Sequence, residues 1–469
     1  MSEELSQLSA VRQVELYRKG ELSPVEVTQA ALKRIEQVNP RLNAFCLVDA
    51  EAALKAAKES EARWQRGEPL GRVDGVPATI KDLVISKGWP TLRGSRAVDP
   101  KQPWAEDAPA VARLREHGAV FLGKTTTPEF GWKGLTDGPL TGATRNPWSD
   151  RHNAGGSSGG AGVAAAHGLG TLHIGTDGGG SIRIPASFCG VFGFKASFGR
   201  VPVSPPSPFA SLSHLGPMTF TVGDAALMLS VIAEPDPRDA NALPYEPRDY
   251  LAALDAGIAG ARIAFSPTLG YAKVEPDVAK AVAEAVRAFE AAGAHVEAAE
   301  PGFDNPLAMF RTVWHAGAAQ LVRSFSPAQR ALLDPGFAVI AGQGEALTLA
   351  AFMDNLTARM ALGAAMRRFH ERFDFLVTPT MATTAFPLKP EYGGTPQGFD
   401  DTVWDDWSPF TYPFNLTGQP AATVPCGFAS NGLPVGLHIV GRPYDDVGVL
   451  RAARAFEAAK PEHWRRPAN

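Results

Sequence analysis

Gly155-Gly156-Ser157-Ser158-Gly159-Gly160 and Thr176-Asp177-Gly178-Gly179-Gly180-Ser181 are two glycine-flanked serine clusters lying close together in the chain. Glycine at this density belongs where backbone N–H groups must face a site and no Cβ can intrude. Upstream, the run Val76-Pro77-Ala78-Thr79-Ile80-Lys81-Asp82 sets a lysine in a strand-like segment. Two serines on glycine-rich backbone and one lysine are the parts of a serine hydrolase whose base is lysine rather than histidine.

Outward from these clusters, strand and helix signals alternate. Ser23-Pro24-Val25-Glu26 is a capping box with proline at the first helical position, and Val27, Ala31, Ile35 and Val38 follow on one face. Asn39-Pro40 is expected to stop that helix. Ala44–Val48 reads as a strand and Ala50–Trp64 as a surface helix. Next come a strand over Ala78–Ile85, a helix over Ala108–His117 and a strand over Ala119–Leu122. The pattern resumes with Arg262–Phe265 as a strand, Val278–Ala292 as a helix and Phe375–Thr378 as a strand. Ala421–Phe428 and Val435–Val440 flank Asn431-Gly432 as a hairpin, and Val447–Ala458 closes as a helix. Such alternation predicts an α/β sheet covered by helices. Pro202–Pro208 and Phe386–Asp406 read as long surface loops, and no linker divides the chain.

Three common motifs nearly match the first cluster. Gly160-Ala161-Gly162-Val163-Ala164-Ala165 fits a loose dinucleotide pattern, but the preceding Arg145–Asn153 cannot supply the buried strand it needs. Neither cluster runs into Gly-Lys-Ser/Thr, so a phosphate loop fits worse still. Gly156-Ser157-Ser158-Gly159-Gly160 also fits the nucleophile elbow of an α/β-hydrolase esterase acting through Ser158. It lacks the same strand, and none of His214, His315, His370 or His438 is marked as its partner. The plainest alternative makes the glycines turns and has Ser157 or Ser158 cap a helix beginning near Ala161.

Composition narrows the function class. Forty-five Lys and Arg against 49 Asp and Glu leave a formal charge of −4, with no basic block to bind nucleic acid. Cys46, Cys189 and Cys426 stand apart, so neither a disulfide framework nor a metal site is expected, and each reads as a small buried apolar residue. The first residues carry no signal-peptide pattern and no apolar run is long enough to span a membrane, so a cytoplasmic protein is expected. A homodimer is left open.

The two clusters, read on through Ile182-Arg183-Ile184-Pro185-Ala186-Ser187-Phe188-Cys189-Gly190, closely resemble the amidase signature family. So do Gly75–Asp82, Val191–Ala196, Gly123–Phe130 and Leu433–Leu437, which spread the resemblance over nearly the whole chain. It implies a single large amidase domain over 1–469, built on a mixed central β-sheet with helices on both faces. Within it lie a helical region 1–70, a signature core 75–200, a variable substrate-pocket region 235–410 and a C-terminal hairpin and helix 411–469. It also implies a Ser–cisSer–Lys triad with Ser181 as nucleophile, Ser157 as the bridging serine in a cis peptide bond, Lys81 as base and Ser158 in support. Oxyanion donors would come from the Gly178, Gly179, Gly180 and Ser181 backbone. Neither metal nor organic cofactor is implied.

The chemistry fits these residue types. A lysine base must be neutral, which burial or a network of hydroxyl partners favours. A serine between base and nucleophile can carry the proton in and return it to the leaving amine. Consecutive glycine N–H groups form a nest for the developing oxyanion. Asp177 and Arg183 are expected to pair and hold that loop.

The expected substrate is a small amide, apolar, aryl or alkyl, with esters as further substrates. Gly131, Trp132 and Trp314 are the candidate pocket residues, with Phe310 and His315 in the variable middle portion and Trp404, Trp407 and Phe410 in a late loop as further candidates. The second family-level reading is a glutamine-hydrolysing subunit of a tRNA-dependent amidotransferase. The segment Thr125-Thr126-Thr127-Pro128-Glu129-Phe130 departs from the Asn-Met-Asp-Glu-Phe pattern associated with those subunits.

Overall fold

In the computed structural model, which describes residues 5–394 and 400–468, the lysine-bearing segment is a strand, Pro77–Lys81, buried at every position. Numbered along the chain, the strands of the main sheet are β1 (Phe45–Val48), β2 (Pro77–Lys81), β3 (Val120–Thr125), β4 (Leu172–Asp177), β5 (Phe192–Lys195) and β6 (His214–Thr219). They continue as β7 (Arg262–Phe265), β8 (His295–Ala298), β9 (Phe375–Pro379), β10 (Ala421–Phe428) and β11 (Pro434–Gly441). Among the described residues they form one eleven-stranded sheet in the order β1-β3-β2-β4-β6-β5-β10-β11-β9-β7-β8. β2 runs parallel to both β3 and β4, and β7 runs parallel to both β8 and β9. The remaining pairs are antiparallel, so the sheet is mixed.

Side-chain alternation sends the two faces of this sheet into different cores. Phe121 joins Ala78, Ile80, Leu215 and Ile439 beneath the helices Val222–Ile232 and Asp446–Ala459. Its neighbours Val120 and Leu122 join Ile182 and Met218 beneath the helices Pro24–Leu42 and Gly159–His167. A third, aromatic core containing Phe130, Trp132, Phe209, Phe310, Trp314 and Phe337 ties the helices Leu307–Val322 and Pro335–Glu345 to the region of the glycine loops.

The capping box forms as read: Ser23 Oγ accepts from the Val25 N–H at 3.0 Å, and the Ser23 N–H donates to Glu26 at 2.9 Å. Its helix does not stop at Asn39-Pro40 but runs to Leu42. Pro40 sits in the last turn, where its missing N–H costs one bond at most, and the chain turns only at Asn43 in the left-handed region. The strand expected over Ala78–Ile85 ends at Lys81, where the Val84 N–H turns back to the Lys81 carbonyl at 2.9 Å. Arg145–Asn153 forms only a small separate hairpin, outside the main sheet. Of the loop expected over Phe386–Asp406, Asp401–Trp407 is a 3-10 helix, and 395–399 lie outside the described residues. Cys189 and Cys426 are buried, but Cys46 is exposed because β1 is an edge strand. Among the described residues no single helix is long and apolar enough to cross a membrane.

Candidate active site

Lys81 ends β2 beside the end of the parallel strand β4, so the site lies at the carboxyl edge of the sheet, where α/β folds place ligands. The side chain is wholly buried, and its Nζ touches three hydroxyls: Ser157 Oγ at 2.7 Å, Ser158 Oγ at 2.8 Å and Thr176 Oγ1 at 2.8 Å. No carboxylate touches it among the described residues. Burial drives its pKa well below the ordinary 10.5, against a weaker pull from the Asp177 charge. Ser158 Oγ donates to the Thr176 carbonyl at 3.1 Å and accepts from the Thr176 N–H at 3.2 Å. With its only hydrogen spent there, Ser158 meets Lys81 as an acceptor. A neutral amine has two N–H donors and one lone pair. In that form it receives one hydroxyl hydrogen, from Ser157 or Thr176.

The first glycine loop leads into the helix Gly159–His167. Ser158 occupies the position before that helix, yet its side chain does not cap it, being committed to Lys81 and Thr176 instead. The Gly156–Ser157 peptide bond is cis. The two loops are joined directly, the Ser158 N–H donating to the Ser181 carbonyl at 3.1 Å.

Asp177 organises the second loop. Its carboxylate takes two bonds from Arg183, Nε to Oδ2 at 2.9 Å and Nη2 to Oδ1 at 2.9 Å. It also accepts from the N–H groups of Gly180 at 2.8 Å and Ile182 at 3.2 Å. Burial alone would raise its pKa, but the Arg183 charge and hydrogen bonds, with Lys195 and Asn415, hold it below the usual carboxylate range. Gly180 therefore spends its N–H on Asp177, unlike the expected set of oxyanion donors. The N–H groups of Gly178, Gly179 and Ser181 donate to no protein acceptor among the described residues.

Ser157, Thr176, Gly178 and Ser181 line one cavity of about 120 Å³. That is several times the ~10–15 Å³ a single water needs. Gly131 lines it with φ +70°, and a Cβ there would stand 3.0 Å from Ser157 Oγ and 2.7 Å from Leu83. Trp314 forms part of the wall, stacked on Phe209 at 4.1 Å between ring centroids. Trp132 is not brought to the cavity. It is fully buried, packs on Phe337, and its carbonyl accepts from Trp314 Nε1 at 3.0 Å. Phe310 and Trp404 press on Gly179 without lining the cavity, and His315, Trp407 and Phe410 are also absent from its wall.

Sequence reasoning assigned no role to Thr176 and missed Phe209 and Arg93 in the cavity wall. Thr176 was detectable as the last hydroxyl before Asp177. Phe209 ends the proline-rich loop, which does border the cavity, as long ordered loops often do.

The model of the family described as Amidase matches residues 26–450. An acylamidase of Rhodococcus erythropolis is 38% identical over 471 residues, covering 98% of this chain and 97% of its own. A glutamyl-tRNA(Gln) amidotransferase subunit of Chloroflexus aggregans is 35% identical over 477 residues, covering 96% and 95%. Among solved structures, a bacterial aryl acylamidase of the amidase signature enzymes superposes with a TM-score of 0.90 at 32% identity over 97% of both chains. A match that contains every strand of the sheet, both glycine loops and Lys81 makes this chain a member of the amidase family.

Proposed function

We propose that the protein hydrolyses carboxylic amides of the acylamidase type, with Ser181 as nucleophile, Ser157 as proton relay and Lys81 as base. The observation that carries this reading is the fully buried lysine held by three hydroxyls, 2.7 Å from Ser157, in a cavity shared with Ser181. Ser181 Oγ attacks the carbonyl carbon as its proton passes to Ser157, whose own proton passes to Lys81. The tetrahedral oxyanion takes N–H donors from Gly178, Gly179 and Ser181. Lys81 then returns a proton through Ser157 to the leaving nitrogen, the C–N bond breaks and an acyl-enzyme remains. Water, deprotonated by the same relay, releases the carboxylic acid and restores Ser181.

The apolar wall of Phe130, Phe209, Leu215 and Trp314 favours aryl or alkyl amides, with esters as easier substrates. The three free cysteines support a reducing compartment such as the cytoplasm. The decisive assay is hydrolysis of acyl 4-nitroanilides with Ser181→Ala as control, together with mass-spectrometric detection of an acyl adduct on Ser181. Hydrolysis unchanged in Ser181→Ala would overturn the mechanism. The likeness to amidotransferase subunits carries the second reading, which would be favoured by glutaminase activity arising only with partner subunits.

A further inference from the structure

The cavity that holds Ser181 has one charged residue in its wall among the described residues, Arg93. It stands on the loop after β2 in the left-handed region, φ 57°, and its carbonyl accepts from the Phe130 N–H at 2.7 Å. That bond ties together two segments of the cavity wall, since Phe130 and Gly131 are also wall residues. The guanidinium forms no ion pair and no hydrogen bond among the described residues. The nearest acid in charge terms, Asp82, is already engaged: it lies 3.5 Å from Lys124 Nζ and accepts from the Gly94 N–H at 3.3 Å. Burial accordingly pulls the Arg93 pKa down, with Asp82 only partly opposing it.

A half-buried arginine with a purely structural role looks different in this molecule. Arg359, which also lacks a carboxylate, donates to the Leu416 carbonyl at 2.6 Å and to Ser211 Oγ at 2.7 Å. Arg93 pays for partial desolvation with no such return. Its planar fork of donors matches a carboxylate in two-point geometry, and the surrounding wall of Leu83, Val84, Ile85 and Phe130 is apolar.

We propose that Arg93 binds a carboxylate carried by the substrate, so that the preferred substrates are amides whose apolar portion ends in an acidic group. This rests on the reading of the Ser181 cavity as the place of amide hydrolysis. The apolar lining favours such a chain over a short polar amide such as glutamine.

Two matched pairs test it: glutaryl against valeryl 4-nitroanilide, with the acid on the acyl side, and N-butyryl-4-aminobenzoate against butyranilide, with the acid on the amine side. At least one pair is expected to favour the acid in kcat/KM by about ten- to a hundredfold, the worth of a hydrogen bond to a charged group. That ratio should fall toward one in Arg93→Gln, persist in part in Arg93→Lys, and shrink in high salt for the wild type. Equal or inverted preference in both pairs would overturn the proposal, as would a preference that survives Arg93→Gln intact. Calorimetric binding of the same four compounds to Ser181→Ala separates the two readings. Tighter binding of an acid without turnover in the wild type supports Arg93 and sinks the hydrolytic reading. Ser181-dependent hydrolysis without acid preference does the reverse.

Discussion

Arg183 grips Asp177 with two parallel bonds of 2.9 Å, both partners completely buried, directly beneath the loop that carries Ser181. The same arginine reaches the Thr411 carbonyl at 2.9 Å and Asn415 Oδ1 at 2.7 Å, tying the loop to a segment more than 200 residues away in sequence. Removing one partner leaves an uncompensated buried charge. Arg183→Ala is expected to cost about 3–5 kcal/mol in urea unfolding, and Asp177→Ala a similar amount. The Asp177 pKa is depressed in the folded state, so its contribution is full above the unfolded value near ~3.9 and is lost as pH falls below it. Steeper acid destabilisation in wild type than in Asp177→Asn is the expected comparison.

On the proposed mechanism, Lys81 gives the rate its pH dependence. Only the neutral amine accepts a proton, so kcat/KM should rise with pH through one ionisation well below 10.5 and then level off. Lys81→Met should lower the amidase rate by at least ~10²-fold. It also reports on stability. Where the folded lysine is neutral and the unfolded one charged, stability rises with pH, up to the unfolded pKa near ~10.4. Lys81→Met is expected to flatten that slope in denaturation curves taken across the range. An unchanged slope would show that the lysine is not buried as described.

Gly131 carries a steric prediction. Its φ of +70° disfavours any Cβ, and an added methyl would crowd both Leu83 and Ser157 Oγ. Gly131→Ala should cost about 1–2 kcal/mol of stability. On the proposed mechanism it should also lower kcat more than it raises KM, because the displaced Ser157 Oγ is the relay atom as well as part of the cavity wall.

Trp132 and Trp314 should separate cleanly. Trp314→Ala opens the cavity wall and is expected to raise KM for aryl anilides several-fold and change the ranking of acyl chain lengths. Trp132 Nε1 is buried without a hydrogen-bond partner among the described residues, so Trp132→Phe removes an unsatisfied donor. Thermal unfolding should show that variant destabilised by about 1–3 kcal/mol, from the cavity left in the core less the gain of the removed donor, with substrate ranking preserved.

The sheet was legible in the sequence where strands are short apolar runs bounded by turn residues. Arg262–Phe265 and Ala421–Phe428 appear with the bounds expected of them. The helices between Leu307 and Phe369 gave no comparable signal. Leu349–Phe369 buries Asn355, Leu362 and Met366 yet exposes Leu349, Met353 and Met360, so its apolar residues draw no single stripe. The lysine and serines were legible because their spacing and glycine neighbours are local properties of the chain. The pocket was legible only in part: Gly131 and Trp314 line it as expected, but Phe209 and Arg93 come from distant loops that meet them only in the folded molecule. Trp132 misled for the same reason: adjacency to a wall residue in sequence says nothing about which side of the backbone a side chain takes.

The hydroxyl cage around Lys81 has an evolutionary corollary. Because no charged residue touches the amine among the described residues, its proton affinity is governed chiefly by how dry its surroundings are, not by a contacting counter-ion. On the proposed mechanism, conservative changes in the apolar packing on the face of β2 that carries Lys81 would therefore retune the working pH of the enzyme while leaving every reacting group in place. Adaptation to acidic or alkaline surroundings is thus open to ordinary drift in the core.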